Sequence, residues 1–317
     1  MAVAPATEVS EATPEEECEP PFPPAYPLAP GYEVLAHISR GDALDVYDVW
    51  SYERFCSCIA KVIRPDRRGV ERVRTRLLRE GELALRMSHP HLVRAYAVFR
   101  EPDPVVILET FPGLTLEDYI EMAPRRLPIV DLAYLGLHLC SAMHYLHGTG
   151  YLHLDLKPAN VIEQQGIAKV IDLSLAAPPG PTTRGRGTRE YLAPEQVRGE
   201  TVTTATDVWG IGTTLYEAAS GDAPFAPLNS QEEAAVQDHR YLQLERPAVP
   251  LRRWRRTLPA EFRTVVEACL DPEPARRPSL RELAAVLKAL TRDPLRPVLD
   301  RGSDERVTAP AAAPIAG

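Results

Sequence analysis

Four polar residues with clear chemical potential lie close together near the middle of the chain. Three of them, Asp155, Lys157 and Asn160, stand within six residues, just after an apolar helical pattern. The fourth, Asp172, comes at the end of an apolar strand-like run, twelve residues beyond Asn160. Carboxylate and amide oxygens are hard ligands that suit Mg²⁺, and a carboxylate can also accept a proton. Packing alone does not explain such a set.

Further landmarks occur before and after these residues. Lys61 ends a strand-like run, and Glu80 lies on the helical pattern that follows. Later in the chain stand Gly187-Thr-Arg-Glu-Tyr-Leu-Ala-Pro-Glu195, Asp207-Val-Trp-Gly210 and Asp271-Pro-Glu-Pro-Ala-Arg-Arg277-Pro278. Over residues 31–291, this ordered set resembles the eukaryotic-type (Hanks-type) serine/threonine protein kinases of bacteria. One match alone would be weak, but the full order is specific.

The resemblance implies ATP-dependent phosphoryl transfer to Ser and Thr hydroxyls of protein substrates, including the chain itself. It implies that Asp155 orients the hydroxyl and accepts its proton. Lys157 would neutralise charge on the phosphoryl group and, with Thr188, frame the acceptor. A Lys at this position and the Gly-Thr pair before Tyr191 are similar to Ser/Thr kinases rather than Tyr kinases.

The resemblance also implies the cofactors and the residues that hold them. Asn160 and Asp172 would bind Mg²⁺, with Mn²⁺ as an alternative ion, and the nucleotide would be ATP. Lys61 would hold the phosphates and would itself be fixed by an ion pair with Glu80. The residues implied in nucleotide binding are Ile38, Ser39, Gly41, Val46, Lys61 and Glu109. Glu195 with Arg277 is expected to be a structural ion pair, and Asp207 a structural anchor.

Each of these residues also has a structural interpretation. Asp172 at a strand end and Asn160 are both suited to turns. Lys61 on a strand is ordinarily an edge or surface lysine. Glu80 lies on a helix with four arginines, for which a solvated face is the default: Arg72, Arg74, Arg76 and Arg79. The joint pattern favours the functional interpretation over these alternatives.

The segment aligned with the phosphate-binding loop departs from its family pattern. Residues 38–46 keep only the middle glycine, Gly41, where the family has three. Glycines adopt positive φ at low cost and let backbone amides approach phosphates, which Ser39 and Leu44 restrict. Asp42 and Asp45 add negative charge near the expected phosphates. Ile59, two residues before Lys61 on the same strand face, replaces the Ala that usually roofs the adenine.

Two further departures concern regulation. Leu154 replaces the Arg that commonly reads a phosphate on the activation loop, which makes the chain a non-RD variant. Leu173 and Ser174 replace the Phe-Gly pair after the metal-binding Asp. Phosphorylation of Thr182, Thr183 or Thr188 would then have a weak ordering effect, or use other arginines: Arg184, Arg186 or Arg189.

Two alternatives to an active protein kinase are open at this point. The first is a pseudokinase, a nucleotide-binding or scaffolding module with little or no turnover, suggested by Ser39, Leu44 and Ile59. The second is a small-molecule kinase of the aminoglycoside-kinase type. Residues 187–195 and 271–278 resemble protein-substrate kinases specifically, which disfavours the second alternative.

The elements that must position these residues follow from periodicity. Residues 31–110 contain five short β patterns and one charged helical pattern over 69–87. Residues 113–291 contain apolar stripes at helical spacing, including Leu132, Leu135, Leu139 and Met143. The sequence therefore predicts an α+β, two-lobed domain over 31–291 with a β-rich N-lobe (31–110) and a larger helical C-lobe (113–291). A ligand is expected in the cleft between the lobes.

Composition separates this unit from the ends of the chain. The 317 residues carry a net charge of −8, but six glutamates and no Lys or Arg lie in the first 30, so residues 31–317 carry only −2. Eight prolines and few large aliphatic residues there predict a disordered tail over 1–30. Residues 292–317, rich in Pro, Ala and mixed charge, predict a second one. The 32 prolines exclude an uninterrupted helical bundle.

Charge and cysteine usage bound the partners and the compartment. The acidic balance disfavours bulk attraction to nucleic acid or anionic membrane, and the basic run 251–256 is expected to be a solvated face. No apolar run approaches the length of a membrane span, and the N-terminus lacks the features of a secretory signal. Five scattered cysteines favour a reducing cytoplasm over a disulfide framework. Dimerisation and autophosphorylation are left open.

Overall fold

The structure is a computed structural model that describes residues 19–122 and 126–291. They form a β-rich lobe with one long helix, followed by a larger helical lobe, which confirms the predicted α+β, two-lobed class. The elements of the first lobe are β1 (Pro27–Ala29), β2 (Tyr32–Arg40), β3 (Leu44–Ser51), β4 (Cys56–Ile63), α1 (Glu71–Arg86), β5 (Ala95–Phe99) and β6 (Val105–Glu109).

The six strands make one antiparallel sheet in the order β1-β2-β3-β4-β6-β5. Its two faces enter different cores because side chains alternate along each strand. On β4, Cys58, Ala60 and Val62 join the outer core, whereas Ile59 and Lys61 lie on the other face. That inner face packs against α1 and continues into the core of the second lobe. The alternation thus turns the chemically important lysine inward.

The predicted disordered tail is wrong for residues 19–30. In this segment, β1 pairs with β2, and Ala25 N–H donates to the carbonyl of Val34 at 2.8 Å. Phe22 stacks on Tyr26 with ring centroids 4.2 Å apart and packs on the outer core of the sheet. The composition argument failed here because a few aromatic and aliphatic residues cover an apolar sheet face that would otherwise be exposed. The rest of that tail, and residues 292–317, lie outside the described residues.

The helices of the second lobe are α2 (Leu116–Met122), α3 (Ile129–Gly148), α4 (Pro194–Arg198), α5 (Thr204–Ser220), α6 (Ser230–Gln237), α7 (Leu251–Trp254), α8 (Ala260–Cys269) and α9 (Leu280–Leu290). Helix α5 lies at the centre, buried along nearly its whole length. The Thr203 hydroxyl caps its N-terminus, and Gly221, with φ of 86°, ends it in the left-handed conformation that favours glycine. Helices α3 and α8 pack against α5.

Short strands hold the loops of the second lobe in place. They are β7 (Leu114–Thr115), β8 (Val161–Gln164), β9 (Ile167–Val170), β10 (Gly180–Pro181) and β11 (Thr201–Val202). The hairpin of β8 and β9 connects the segment 153–160, which contains Asp155, to the loop that contains Asp172. Pairing of β10 with β11 fixes the segment between them against the helical lobe.

Among the described residues, α3 is long and apolar enough to cross a membrane by length and composition alone. Half of that stretch is buried in the lobe, where Leu132, Leu139 and Met143 are fully enclosed. The core helices of globular domains pass the same test, so the position of α3 against α5 and α9 accounts for its apolar character.

Candidate active site

Lys61 and Glu80 form the ion pair that the sequence predicted. Lys61 lies near the end of β4, and Glu80 lies on the face of α1 that packs on the sheet. Lys61 Nζ is 2.6 Å from Glu80 Oε1, and Glu80 is 2% exposed. Burial alone would lower the pKa of the Lys61 ammonium, but the carboxylates of Asp172 and Glu80 outweigh it and hold that pKa above its ordinary value. Lys61 therefore stays charged.

Asp172 follows β9 and approaches the same lysine. Its Oδ2 atom is 3.7 Å from Lys61 Nζ, and its Oδ1 atom accepts the Ser174 N–H at 2.9 Å. Its φ of 68° lies in the left-handed region, which non-glycine residues rarely adopt and which the surrounding contacts must maintain. Burial would raise its pKa, but the charge of Lys61 and the bonds from Ser174 hold it well below the usual range. The carboxylate is thus ionised at neutral pH.

Asp155, Lys157, Asn160 and Thr188 make a second cluster. Asp155 Oδ1 accepts hydrogen bonds from the backbone N–H and the hydroxyl of Thr188, both at 2.9 Å. Lys157 Nζ donates to the Thr188 hydroxyl oxygen at 2.7 Å. Asn160 Nδ2 donates to the backbone carbonyl of Asp155 at 2.8 Å and reaches its Oδ2 atom at 3.2 Å. Thr188 and Asn160 therefore contact the Asp155 carboxylate directly, and Lys157 is connected to it through the Thr188 hydroxyl.

Asp207, near the start of α5, binds the backbone of the segment 153–160 that contains Asp155. It is 1% exposed, and its two carboxylate oxygens accept the backbone N–H groups of His153 at 2.8 Å and Leu154 at 2.9 Å. His147 Nε2 lies 2.7 Å from the same carboxylate. Leu154 has a φ of 68°, so these bonds hold an uncommon backbone conformation directly before Asp155. These contacts are those expected of Asp207 as a structural anchor.

Glu195 and Arg277 form the predicted structural ion pair. Arg277 donates two hydrogen bonds to the Glu195 carboxylate at 2.7 and 2.8 Å, and both side chains are buried. Thr206 adds a third bond to that carboxylate at 2.8 Å. Burial would raise the pKa of Glu195, but the bonds from Arg277 outweigh it and lower that pKa. The pair joins the segment that contains Thr188 to the loop before α9.

Comparison with known sequences agrees with this arrangement. The protein kinase domain model matches residues 32–286. The chain belongs to this family. It is 31% identical over 245 residues to the serine/threonine-protein kinase PkaA of Streptomyces coelicolor, covering 73% of the chain and 42% of that protein. It is 33% identical over 268 residues to the serine/threonine-protein kinase PknB of Mycolicibacterium smegmatis, covering 79% of the chain and 41% of that protein. The chain thus spans about two fifths of these relatives' length.

Protein kinases use ATP and typically a divalent metal, and the residues present fit such a metal. Asp172 is ionised, and its Oδ2 atom lies 3.7 Å from Lys61 Nζ. Asn160 uses its Nδ2 atom toward Asp155, which leaves its carbonyl oxygen as a ligand. Within residues 19–122 and 126–291, no cluster of three or more metal-binding side chains occurs. Two oxygen ligands suit an ion that substrate phosphates also coordinate.

The predicted phosphate loop lies in the hairpin between β2 and β3. Ile38 is 52% exposed, Gly41 is also exposed, and Gly41 N–H donates to the carbonyl of Leu44 at 2.8 Å. Ser39 pairs in register with Val46, and Val46 lies opposite Lys61 on β4. Val46 therefore shares the face of Lys61 and Ile59. The structure places these predicted nucleotide-binding residues above the ion pair, on the more exposed side of the cleft.

Asp45 does not add charge to the nucleotide side of this hairpin, contrary to the sequence-based expectation. It is 1% exposed and lies on the outer face of β3 with Tyr47 and Val49. Arg40 donates two hydrogen bonds to it at 2.7 and 2.8 Å, and His37 lies 3.2 Å away. The alternation of the strand turned this side chain away, and a salt bridge neutralises it. Asp42, at the tip, remains exposed.

Glu109, at the end of β6, connects the first lobe to the second through its side chain. Its carboxylate accepts a bond from Lys169 Nζ at 2.7 Å and from the Arg94 backbone N–H at 3.1 Å. Lys169 lies on β9 and also faces the ring of Phe111, 5.0 Å from its centroid. The Glu109 side chain is thus committed to contacts within the protein, and its backbone N–H donates to the carbonyl of Arg94 at 3.1 Å.

Two leucines that replace family positions, Leu154 and Leu173, lie in apolar packing. Leu154 joins a small cluster with Leu152, Leu175 and Val202, and Leu173 is 2% exposed in the main core. The loop arginines have different surroundings. Arg189 donates to the Arg240 carbonyl and stacks on Tyr241, whereas the pKa of Arg186 is lowered by burial and by the nearby charges of Arg79 and Arg76.

Sequence reasoning missed the contacts of three residues. Arg76 and Arg79, which were assigned to a solvated face by default, both donate to the loop after Asp172: Arg76 to the Ser174 hydroxyl at 2.8 Å and Arg79 to the carbonyl of Ala176. Gln196, on α4, is buried and donates to the carbonyl of Leu154 at 2.9 Å. Nothing in the local sequence pattern marks these contacts, because each partner comes from a segment distant in sequence.

Proposed function

We propose that this chain transfers the γ-phosphoryl group of ATP to Ser and Thr hydroxyls of protein substrates, including itself. The observation that carries the proposal is the position of Lys61, which contacts Glu80 at 2.6 Å and Asp172 at 3.7 Å. One lysine then joins a helix of the first lobe to the metal-binding loop of the second. The names of the relatives, all serine/threonine-protein kinases, support the same reaction.

The acceptor side of the mechanism rests on Asp155. The incoming hydroxyl would lie within hydrogen-bond reach of this carboxylate, which is held in place by Thr188 and Asn160. The hydroxyl oxygen attacks the γ-phosphorus, the bond from that phosphorus to the oxygen of ADP breaks, and the hydroxyl proton passes to Asp155. Lys157, 2.7 Å from the Thr188 hydroxyl, places its positive charge beside the transferred group.

The nucleotide side of the mechanism rests on charge neutralisation. Lys61 would bind the α- and β-phosphates, and Glu80 keeps its ammonium in place. Asn160 and Asp172 would hold Mg²⁺, or Mn²⁺ in its place, which supplies charge neutralisation at the phosphates. The hairpin residues Ile38, Ser39, Gly41 and Val46 and the backbone of Glu109 would enclose the nucleotide. Since every charged group that transfer requires has its partner, turnover is favoured over a binding module.

The wider assignments remain proposals of the same kind. We assign the catalytic unit to residues 31–291, preceded on its outer face by the packed segment 19–30, with protein substrates as partners and no role for nucleic acid or membrane. The cysteines at 56, 58, 140 and 269 are all free, which suits a reducing cytoplasm. Dimerisation is left as an open interaction.

The test uses the purified chain with Mg²⁺ and ATP. Intact mass reports autophosphorylation, and a generic basic protein reports transfer to a substrate. We expect added phosphate groups on wild type and none on Asp155→Asn, whose folding is checked by circular dichroism. Replacement of Mg²⁺ by Mn²⁺ or Ca²⁺ defines the ion. If neither protein transfers phosphate to itself or to any of several substrates, although both are folded, the assignment is wrong.

A further inference from the structure

A closed ring of polar contacts surrounds the metal-binding loop. Lys61 contacts Glu80 and Asp172, Asp172 accepts the N–H of Ser174, and the Ser174 hydroxyl accepts a bond from Arg76 at 2.8 Å. Arg76 and Glu80 are four residues apart on α1, so they lie on neighbouring positions of one helix face. The ring therefore begins and ends on the same helix.

The Ser174 side chain is the unusual member of this ring. A glycine at this position could also donate its N–H to Asp172, but it could not accept a bond from Arg76. The backbone of Ser174 is not in the left-handed region, so a side chain is accommodated there without strain. Asp172, two residues earlier, is in that region and needs support from its surroundings. The hydroxyl connects this strained residue to α1.

A second contact on the same helix strengthens the connection. Arg79, one turn after Arg76, donates to the backbone carbonyl of Ala176. Leu173, directly before the first attachment point, is buried in the main core. The loop from 172 to 176 is thus fixed on α1 by two side chains and on the core by a third, with no phosphate group involved.

We propose that Arg76 and Ser174 form a latch, here called the Arg76–Ser174 latch, that positions Asp172 for the metal nucleotide and keeps α1 in place for Lys61. Both are positioning residues that act through Asp172 and Glu80. The latch orders the loop that contains Asp172 without a phosphate group. Leu154, which replaces the arginine that commonly reads such a phosphate, lies instead in an apolar cluster beside the acceptor site. This inference rests on the proposed function, since it concerns the metal-binding group of that reaction.

The test compares variants that remove one side of the bond with variants that keep it. Ser174→Ala and Arg76→Gln remove it, and Ser174→Thr keeps the hydroxyl. Arg72→Gln removes an exposed arginine of the same helix outside the ring and serves as the matched control. The first measurement is the Mg²⁺ concentration that gives half of the ATP-induced rise in melting temperature. The second is amide hydrogen exchange of α1.

We expect Ser174→Ala and Arg76→Gln each to raise the half-maximal Mg²⁺ concentration about two- to tenfold, the range for one lost hydrogen bond. Both should speed exchange along α1, whereas Ser174→Thr and Arg72→Gln stay within about twofold of wild type. The double variant Arg76→Gln/Ser174→Ala should be no worse than either single variant, because both remove one bond.

Three results would overturn the latch: single variants that match wild type in both measurements, fully additive effects in the double variant, or an equal loss in Ser174→Thr and Ser174→Ala. If Arg76→Gln also destabilises the nucleotide-free protein, the comparison of Ser174→Thr with Ser174→Ala decides alone. The first measurement reports binding and the second reports local opening of α1, so neither depends on phosphate transfer. A wild type that binds Mg²⁺ and ATP through the latch without transferring phosphate would reject the proposed function and leave the latch standing.

Discussion

The two sides of the cleft differ in burial and in the hydrogen bonds that hold them. On the lower side, the Asp155 carboxylate accepts several hydrogen bonds, and its loop is held from below by the buried Asp207. On the upper side, the hairpin between β2 and β3 exposes Ile38 and Gly41. Its tip has one backbone bond across the turn and two bonds from Arg64, to the carbonyls of Gly41 and Ala43. The same chain therefore encloses the proposed proton acceptor and leaves the proposed nucleotide side more exposed.

The contrast has a physical reason. A proton acceptor must lie within about 3 Å of one hydroxyl, so a small displacement costs rate directly. Phosphates are held by electrostatic attraction, which falls off gradually with distance. Lys61 can therefore attract them even though the hairpin above it has a single glycine. Departures from a family pattern are then better tolerated in the hairpin than in the loop around Asp155.

The largest expected effect is on the side of the proposed proton acceptor. Asp155→Asn should lower the single-turnover rate of transfer by about 10²–10⁴-fold, the usual contribution of a positioned general base. ATP-induced thermal stabilisation should stay within about twofold of wild type, since Asp155 contacts Thr188 and Asn160 rather than the hairpin. A rate within tenfold of wild type would show that the carboxylate is not the proton acceptor.

The next effect tests how firmly the acceptor segment is held. Arg277→Met removes one partner of a fully buried ion pair and leaves Glu195 charged in the interior. We expect the free energy of unfolding to fall by about 3–5 kcal/mol in chemical denaturation. Arg276→Met, one residue earlier and exposed, is the matched control and should change it by less than about 0.5 kcal/mol. Equal losses in both would place the stabilisation elsewhere.

The sequence predicted the two-lobed class of fold well. The resemblance to protein kinases also implied five site residues, and the structure shows contacts within two groups of them. Lys61 contacts Glu80 and Asp172, whereas Asn160 contacts Asp155. Strand alternation and helical stripes also placed the two cores. These features are local or depend on periodicity, which a single sequence displays directly.

Other features could not be read from the sequence because they depend on contacts between distant segments. Arg76 reaches a residue 98 positions away, and Phe22 covers a sheet face built mostly from later strands. Asp45 was assigned to the nucleotide side by its place in the hairpin, yet one residue of alternation decides the face. The contact of the Glu109 carboxylate with Lys169 is another of this kind, since Lys169 comes from the other lobe.

The face of Asp45 can be tested by stability and pH. Burial would raise its pKa, but bonds from Arg40 and His37 outweigh it, so the pKa lies below the ordinary 3.8. The stabilisation is therefore present near neutral pH and is lost as the pH falls below about 4. Asp45→Asn should lower the free energy of unfolding at pH 7 by about 1–3 kcal/mol. The difference from wild type should shrink in acid, with the KM for ATP within about twofold. A large change in KM would place Asp45 on the nucleotide side.

The smallest effect concerns the one hairpin carboxylate that stays exposed near the expected phosphates. Asp42→Asn removes a negative charge at the tip, so the KM for ATP should fall by up to about twofold at low ionic strength. The gain should disappear at about 1 M salt, where the screening length is about 3 Å. Glu53→Gln, at the opposite end of β3, is the matched control, because about 25 Å of strand separates it from the tip. A gain equal to that of Glu53→Gln would mean that the nucleotide phosphates lie beyond the reach of Asp42, and that the exposed upper side contributes shape but no charge to ATP binding.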